Sequence, residues 1–221
     1  MGNQRNQDKG NALSLFVQET FSCLQIPGGA YASEVLRRVF QKKADEAKEI
    51  LLQELSQGNV SPSKFEEDTL IYMIYRYLRA AQEGTAHNNL RLMAQLISGA
   101  KQCEPVSSED FLYFADIISS LRHDEIRLLA LMVREGQNSS YACTKALEKE
   151  FGYEYEEIFQ ALLRTGLVAL EQDVSVEDND DWKIQEKYRT SFSQVYYLTD
   201  LWHKFDKYLD FNNLASNKDK I

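Results

Sequence analysis

The stretch Tyr141–Val168, YACTKALEKEFGYEYEEIFQALLRTGLV, decides how this chain is read. Ser139 and Ser140 stand just ahead of it, and a hydroxyl in that place caps a helix by accepting from one of the N–H groups that the first turn leaves unpaired. A short helix is therefore predicted over Tyr141–Glu150, closed by Phe151-Gly152. A second is predicted over Glu154–Arg164, closed by Thr165-Gly166, since glycine readily takes the left-handed conformation past a helix end. Leu167-Val168-Ala169-Leu170 follows, a short apolar run of strand type.

Downstream, an acidic, turn-rich stretch separates that run from Trp182–Phe192, a second candidate strand region. Val195-Tyr196-Tyr197-Leu198 then leads to Thr199, which caps an amphipathic helix carrying Leu201, Trp202, Phe205, Tyr208 and Leu209. Upstream, Ile126, Leu129, Leu131 and Val133 mark a helix stopped by Gly136. Ser107 with Asp110 three residues on starts another, through Phe111, Phe114, Ile117 and Ile118. Gly99–Val106, with Pro105, reads as a linker.

Four helices precede the linker. Leu13, Phe16, Phe21 and Leu24 suggest a short one, ended by Pro27-Gly28-Gly29. A long one runs from Ala32 to Gln57, with Leu36, Phe40, Ala44, Ala47, Leu51 and Leu55 at intervals of three or four. The third starts at Ser63, with Glu66 in the capping-box position; Leu70 to Tyr75 is apolar or aromatic throughout, which predicts a helix surrounded on several sides. The fourth covers Asn88–Ala100. The expected layout is a tail at 1–10, a helical domain at 11–104, a second domain at 105–212 and a tail at 213–221.

Helix, short helix, turn, short helix, strand, loop, strand is the order of a winged helix, and Tyr141–Val168 resembles the helix-turn-helix of that superfamily. Arg164-Thr165-Gly166-Leu167-Val168 looks like the exit from its recognition helix into the first wing strand. Tyr196–Trp202 resembles the point where the second wing strand meets a closing helix. The fold class implied is mainly α: a helical N-terminal bundle followed by a winged-helix-like domain with a small β-hairpin. Asn89–Ser98 and Asp110–Met132 are also similar to bacterial helical families grouped with the abortive-infection alpha proteins, which implies a bacterial or phage context.

The winged-helix resemblance implies DNA binding, and the residues argue against it. Groove binding needs basic and amide side chains at the start of the second helix. Here that start carries Glu154, Glu156 and Glu157, followed by Gln160 and Arg164. Carboxylates there repel phosphate, where a binder would release counterions through Lys and Arg; they also complement the helix dipole, which is reason enough for their presence. Lys145 and Lys149 on the preceding helix stand among Glu148 and Glu150. Residues 111–192 hold 9 basic against 16 acidic groups, so the acidity of the chain concentrates in this region. Arg37, Arg38, Lys42 and Lys43 form the best anion-facing patch, on the long helix. The expectation is a non-catalytic interaction or regulatory protein whose acidic module, through Glu154, Glu156, Glu157, Gln160 and Arg164, meets protein. The alternative is a DNA-binding regulator using Lys145, Lys149 and Arg164, or the Arg37–Lys43 patch.

Other classes find no support in the residues. Cys23, Cys103 and Cys143 are odd in number and widely spaced, which suits neither a disulfide framework nor a structural zinc site. The acidic stretch 171–181 lacks the order and the glycine of a calcium loop. HExxH, GxSxG, GxxxxGK and GxGxxG are absent, so neither catalysis nor a cofactor is indicated. Met1-Gly2 opens the chain, but Asn6 breaks the myristoylation pattern, and nothing resembles a signal peptide or membrane span. A cytoplasmic protein is expected, with a protein partner or a second copy of itself, because the helices at 32–57 and 65–83 carry much apolar surface.

Overall fold

Helix α1, Glu34–Gln57, turns its alanines and aliphatics to one side: Ala44, Ala47, Ile50 and Leu51 are buried, while Asp45, Glu46 and Glu49 between them are exposed. The computed structural model describes residues 34–57, 66–99, 106–136, 138–176 and 190–211. The helix expected around Leu13–Leu24, Ser63, Pro105, residues 177–189 and both tails lie outside the described residues.

The chain forms two compact units. The first holds α1, α2 (Glu67–Glu83), α3 (His87–Ser98), α4 (Ser108–Ser120) and residues 205–210. The second holds α5 (His123–Arg134) from Asp124 onward, α6 (Ser140–Phe151), α7 (Tyr155–Leu162), β1 (Val168–Val176), β2 (Thr190–Leu198), the start of α8 (Asp200–Asp206) and Phe211. Packing thus groups α4 with the helices before it, downstream of the linker at which the sequence divides. The protein is mainly helical, with one two-stranded antiparallel sheet.

In the first unit α1 packs on α2 and α3, and α3 on α2 and α4. The enclosed element is α3, where Leu90, Leu92, Met93, Ala94, Leu96 and Ile97 are all buried. This corrects the expectation for α2. That helix buries Leu70, Met73, Ile74 and Tyr77 but leaves Ile71, Tyr72 and Tyr75 exposed, because its neighbours cover one side only. Its start is corrected too: Glu66 is the extended N-cap residue rather than the third residue of a capping box. Gly84, at φ 97°, supplies the left-handed turn that closes α2.

Among the described residues, the buried polar side chains of this unit are paired. Arg91 donates to the buried Glu54 at 2.6 Å, Tyr77 donates its hydroxyl proton to the Ala47 carbonyl at 2.7 Å, and the Asn89 amide donates to the carbonyls of Ile118 and Leu121. The Ser107 hydroxyl accepts from the Asp110 N–H, the cap the sequence predicts for α4. Phe205 meets Phe114 edge-on at 5.2 Å, and the Asp210 N–H donates to Gln95.

In the second unit the strands pair from Val168 opposite Leu198 to Val176 opposite Thr190. Ahead of α6, Ser139 makes an isolated antiparallel bridge to Tyr197, and the Asn138 carbonyl accepts from the Leu198 N–H. Thr199 caps α8 through the Trp202 N–H and donates its own proton to the Gly166 carbonyl, which pins the sheet's exit to its entry. Among the described residues no helix is long and apolar enough to cross a membrane.

Candidate interaction surface

The two short helices are placed by their caps and by one glycine. Ser139 accepts from the Ala142 N–H, and Ser140 accepts from the Tyr196 N–H, so the start of α6 is tied to β2. Gly152 ends α6 at φ 62° and ψ −139°, a conformation a Cβ disfavours. A single 3₁₀ turn, Gly152–Glu154, then redirects the chain into α7.

One face of α7 is buried through Ile158, Phe159 and Leu162. Phe159 stacks on Tyr196 of β2, with centroids 4.6 Å apart and planes 3° from parallel. The Gln160 amide donates to the Tyr196 hydroxyl at 2.6 Å, and that hydroxyl donates to Gln194 at 3.2 Å. Arg164 donates from both terminal nitrogens to the two carboxylate oxygens of Glu125, at 2.5 and 2.8 Å. Glu125 is 0% exposed, and its acceptance of these bonds holds the Arg164 guanidinium charged even more firmly than usual.

The other face meets solvent. Glu154, Glu156 and Glu157 are exposed, as are Lys145, Glu148 and Lys149 on α6. Glu150 instead accepts from Arg127 at 2.5 Å, and that guanidinium lies 5.1 Å from the centre of the Phe151 ring. Two tyrosines that the sequence reading passed over stand furthest into solvent: Tyr141 is 79% exposed and Tyr153 88%. Their positions, at the first turn of α6 and in the turn before α7, are the available signal, since tyrosine at a tight turn has little core within reach. Tyr155 is half-buried; burial first, then the charges of Glu156 and Glu148, raise its phenol above the ordinary value and keep it neutral.

The structure therefore brings Glu154, Glu156, Glu157, Lys145 and Lys149 into one unit as exposed groups, and engages Gln160 and Arg164 with the fold. The Arg37–Lys43 patch belongs to the first unit. There Arg38 and Lys42 are exposed, and Lys42 lies 3.8 Å from Glu46. Lys43 is half-buried, with its ammonium near Gly84 at the C-terminal end of α2, where a cation complements the helix dipole. The Arg37 side chain lies outside the described residues. Among the described residues no group of three His, Cys, Asp or Glu side chains is placed to hold a metal ion.

No protein-family model matches the chain, and neither a curated protein nor a solved structure matches it.

Proposed function

We propose that this is a non-catalytic interaction or regulatory protein whose second unit is a degenerate winged helix that contacts protein. The winged-helix reading is supported by the order α5, bridge at Ser139, α6, α7, β1, β2, and by the bridge lying against β2. One observation carries the function: the exposed surface in and around α7 presents three carboxylates, Glu154, Glu156 and Glu157, while Gln160 and Arg164, the exposed groups suited to reading DNA, have donors already taken up by Tyr196 and Glu125. Those carboxylates, with the exposed Tyr141 and Tyr153 in the same unit, suit a partner with Arg or Lys at its centre, because exposed tyrosine supplies contact area at small entropic cost and carboxylates select for cations.

The test pairs a gel shift on random duplex DNA at low salt with retention on a peptide array rich in Arg and aromatic residues. The reading expects no shift, and peptide retention that is lost in Tyr153→Ala and in Glu156→Lys/Glu157→Lys. A salt-sensitive shift that disappears in Lys145→Ala/Lys149→Ala would overturn it in favour of a DNA-binding regulator.

A further inference from the structure

On α2, the exposed side is a patterned strip. Ile71, Tyr72 and Tyr75 are 36%, 48% and 46% exposed, with exposed Asp68 one turn before them and Arg79 one turn after. Positions 68, 72, 75 and 79 alternate in steps of four and three, the spacing that keeps a seam facing one partner helix. Its ends are opposite in charge and its middle is apolar and aromatic.

From this strip we infer that α2 pairs with α2 of a second copy of the chain, antiparallel, about a two-fold axis between Met73 and Ile74. That axis sets Tyr72 against Tyr75 of the second copy, and Asp68 against its Arg79. The pattern is self-complementary, as a two-fold interface demands: each contact occurs twice. A parallel pairing would oppose Asp68 to Asp68 and Arg79 to Arg79, so the charges select the antiparallel arrangement. Arg79 bonds Glu83 at 2.8 Å within its own helix, but that pair is exposed on both sides and yields at little cost. Arg76 is engaged with Asp116 on α4, which leaves its aliphatic stem to cover Ile71 of the second copy. A second copy is favoured over a foreign helix because this strip already holds both halves of the charge match. The inference is independent of the function proposed for the second unit.

One helix pair is a small interface, so the dimer dissociates in the range of about 1 to 100 µM. Sedimentation of the full chain across that range tests it. The wild type should pass from monomer to dimer. Asp68→Arg and Arg79→Glu, both at exposed positions, should each weaken the dimer by about tenfold, because each sets like charges against one another twice. An equimolar mixture of the two should recover association, since every opposed pair is then of opposite sign, and the double variant should recover it alone. Circular dichroism of each variant checks that it folds. A monomer throughout, a dimer indifferent to both charges, or single losses that neither mixing nor doubling restores would each overturn the pairing. So would an intrachain disulfide between Cys23 and Tyr75→Cys in a monomer, which would assign the strip to the protein's own N-terminal segment.

Discussion

Arg164 clasps the fully buried carboxylate of Glu125 through both terminal nitrogens, at 2.5 and 2.8 Å. A residue on which the DNA-binding alternative called is thus the tie between the turn that follows α7 and the first turn of α5. Removing the arginine leaves a buried charge without its bidentate partner.

Arg164→Ala should therefore cost stability, by about 2–4 kcal/mol, below the full figure for a buried pair because the arginine is 42% exposed. Arg164→Lys should recover less than half, since an ammonium cannot reproduce the two-pronged bond. Urea unfolding followed by circular dichroism reads both. A loss below about 0.5 kcal/mol, the level of an ordinary surface residue, would deny the pair its structural role.

Gly152→Ala should destabilise by about 1–3 kcal/mol although nothing stands within 4 Å of the added carbon, because the cost lies in the backbone conformation rather than in a clash. Glu154→Ala, two residues on and exposed, should change thermal stability little. Equal melting temperatures for the two variants would show that the turn re-forms without glycine.

Alkaline pH should weaken the first unit through Tyr77. Burial first, and Glu54 second, raise its phenol above the ordinary value of 10.0. A group whose folded pKa is raised contributes stability that is complete below its unfolded pKa and falls as pH rises beyond it. Unfolding free energy should thus decline above about pH 10, where an unfolded tyrosine ionises. Tyr77→Phe should flatten that decline while losing about 1 kcal/mol at neutral pH with the bond to the Ala47 carbonyl. An unchanged alkaline slope in the variant would assign the decline to other groups.

Cys143 should resist alkylation in the folded protein. It is buried, its thiol donates to the Ser139 carbonyl at 3.2 Å, and burial above all pushes it up to about 11, so little thiolate forms near neutrality. Peptide mapping after iodoacetamide at pH 8 should find it labelled at least tenfold faster in urea than in buffer, a margin set by the low thiolate fraction. Equal rates would mean that the start of α6 opens readily.

Much of this fold is local and was legible in the residues. Ser107, Ser139 and Thr199 cap the helices they precede, and Gly152 and Gly166 end the helices they follow, because each acts on backbone within four positions of itself. The apolar run at Leu167–Leu170 leads into β1 for the same kind of reason. The seam on α2 is equally present in the sequence, but as an unresolved run: Leu70 to Tyr75 is apolar or aromatic at every position, so periodicity offers no way to tell the buried side from the exposed one.

What tertiary structure alone decided is which polar groups are spoken for. Gln160 and Arg164 read from the chain as reaching outward, and their partners lie 36 and 39 residues away on other elements. No local pattern encodes a bond across that separation, since it depends on how β2 and α5 are carried to α7. The short helices and their turn follow from the sequence. Gln160 and Arg164 stay exposed beside Glu154, Glu156 and Glu157, but Tyr196 and Glu125 take up their donors, because the tertiary fold carries β2 and α5 to them.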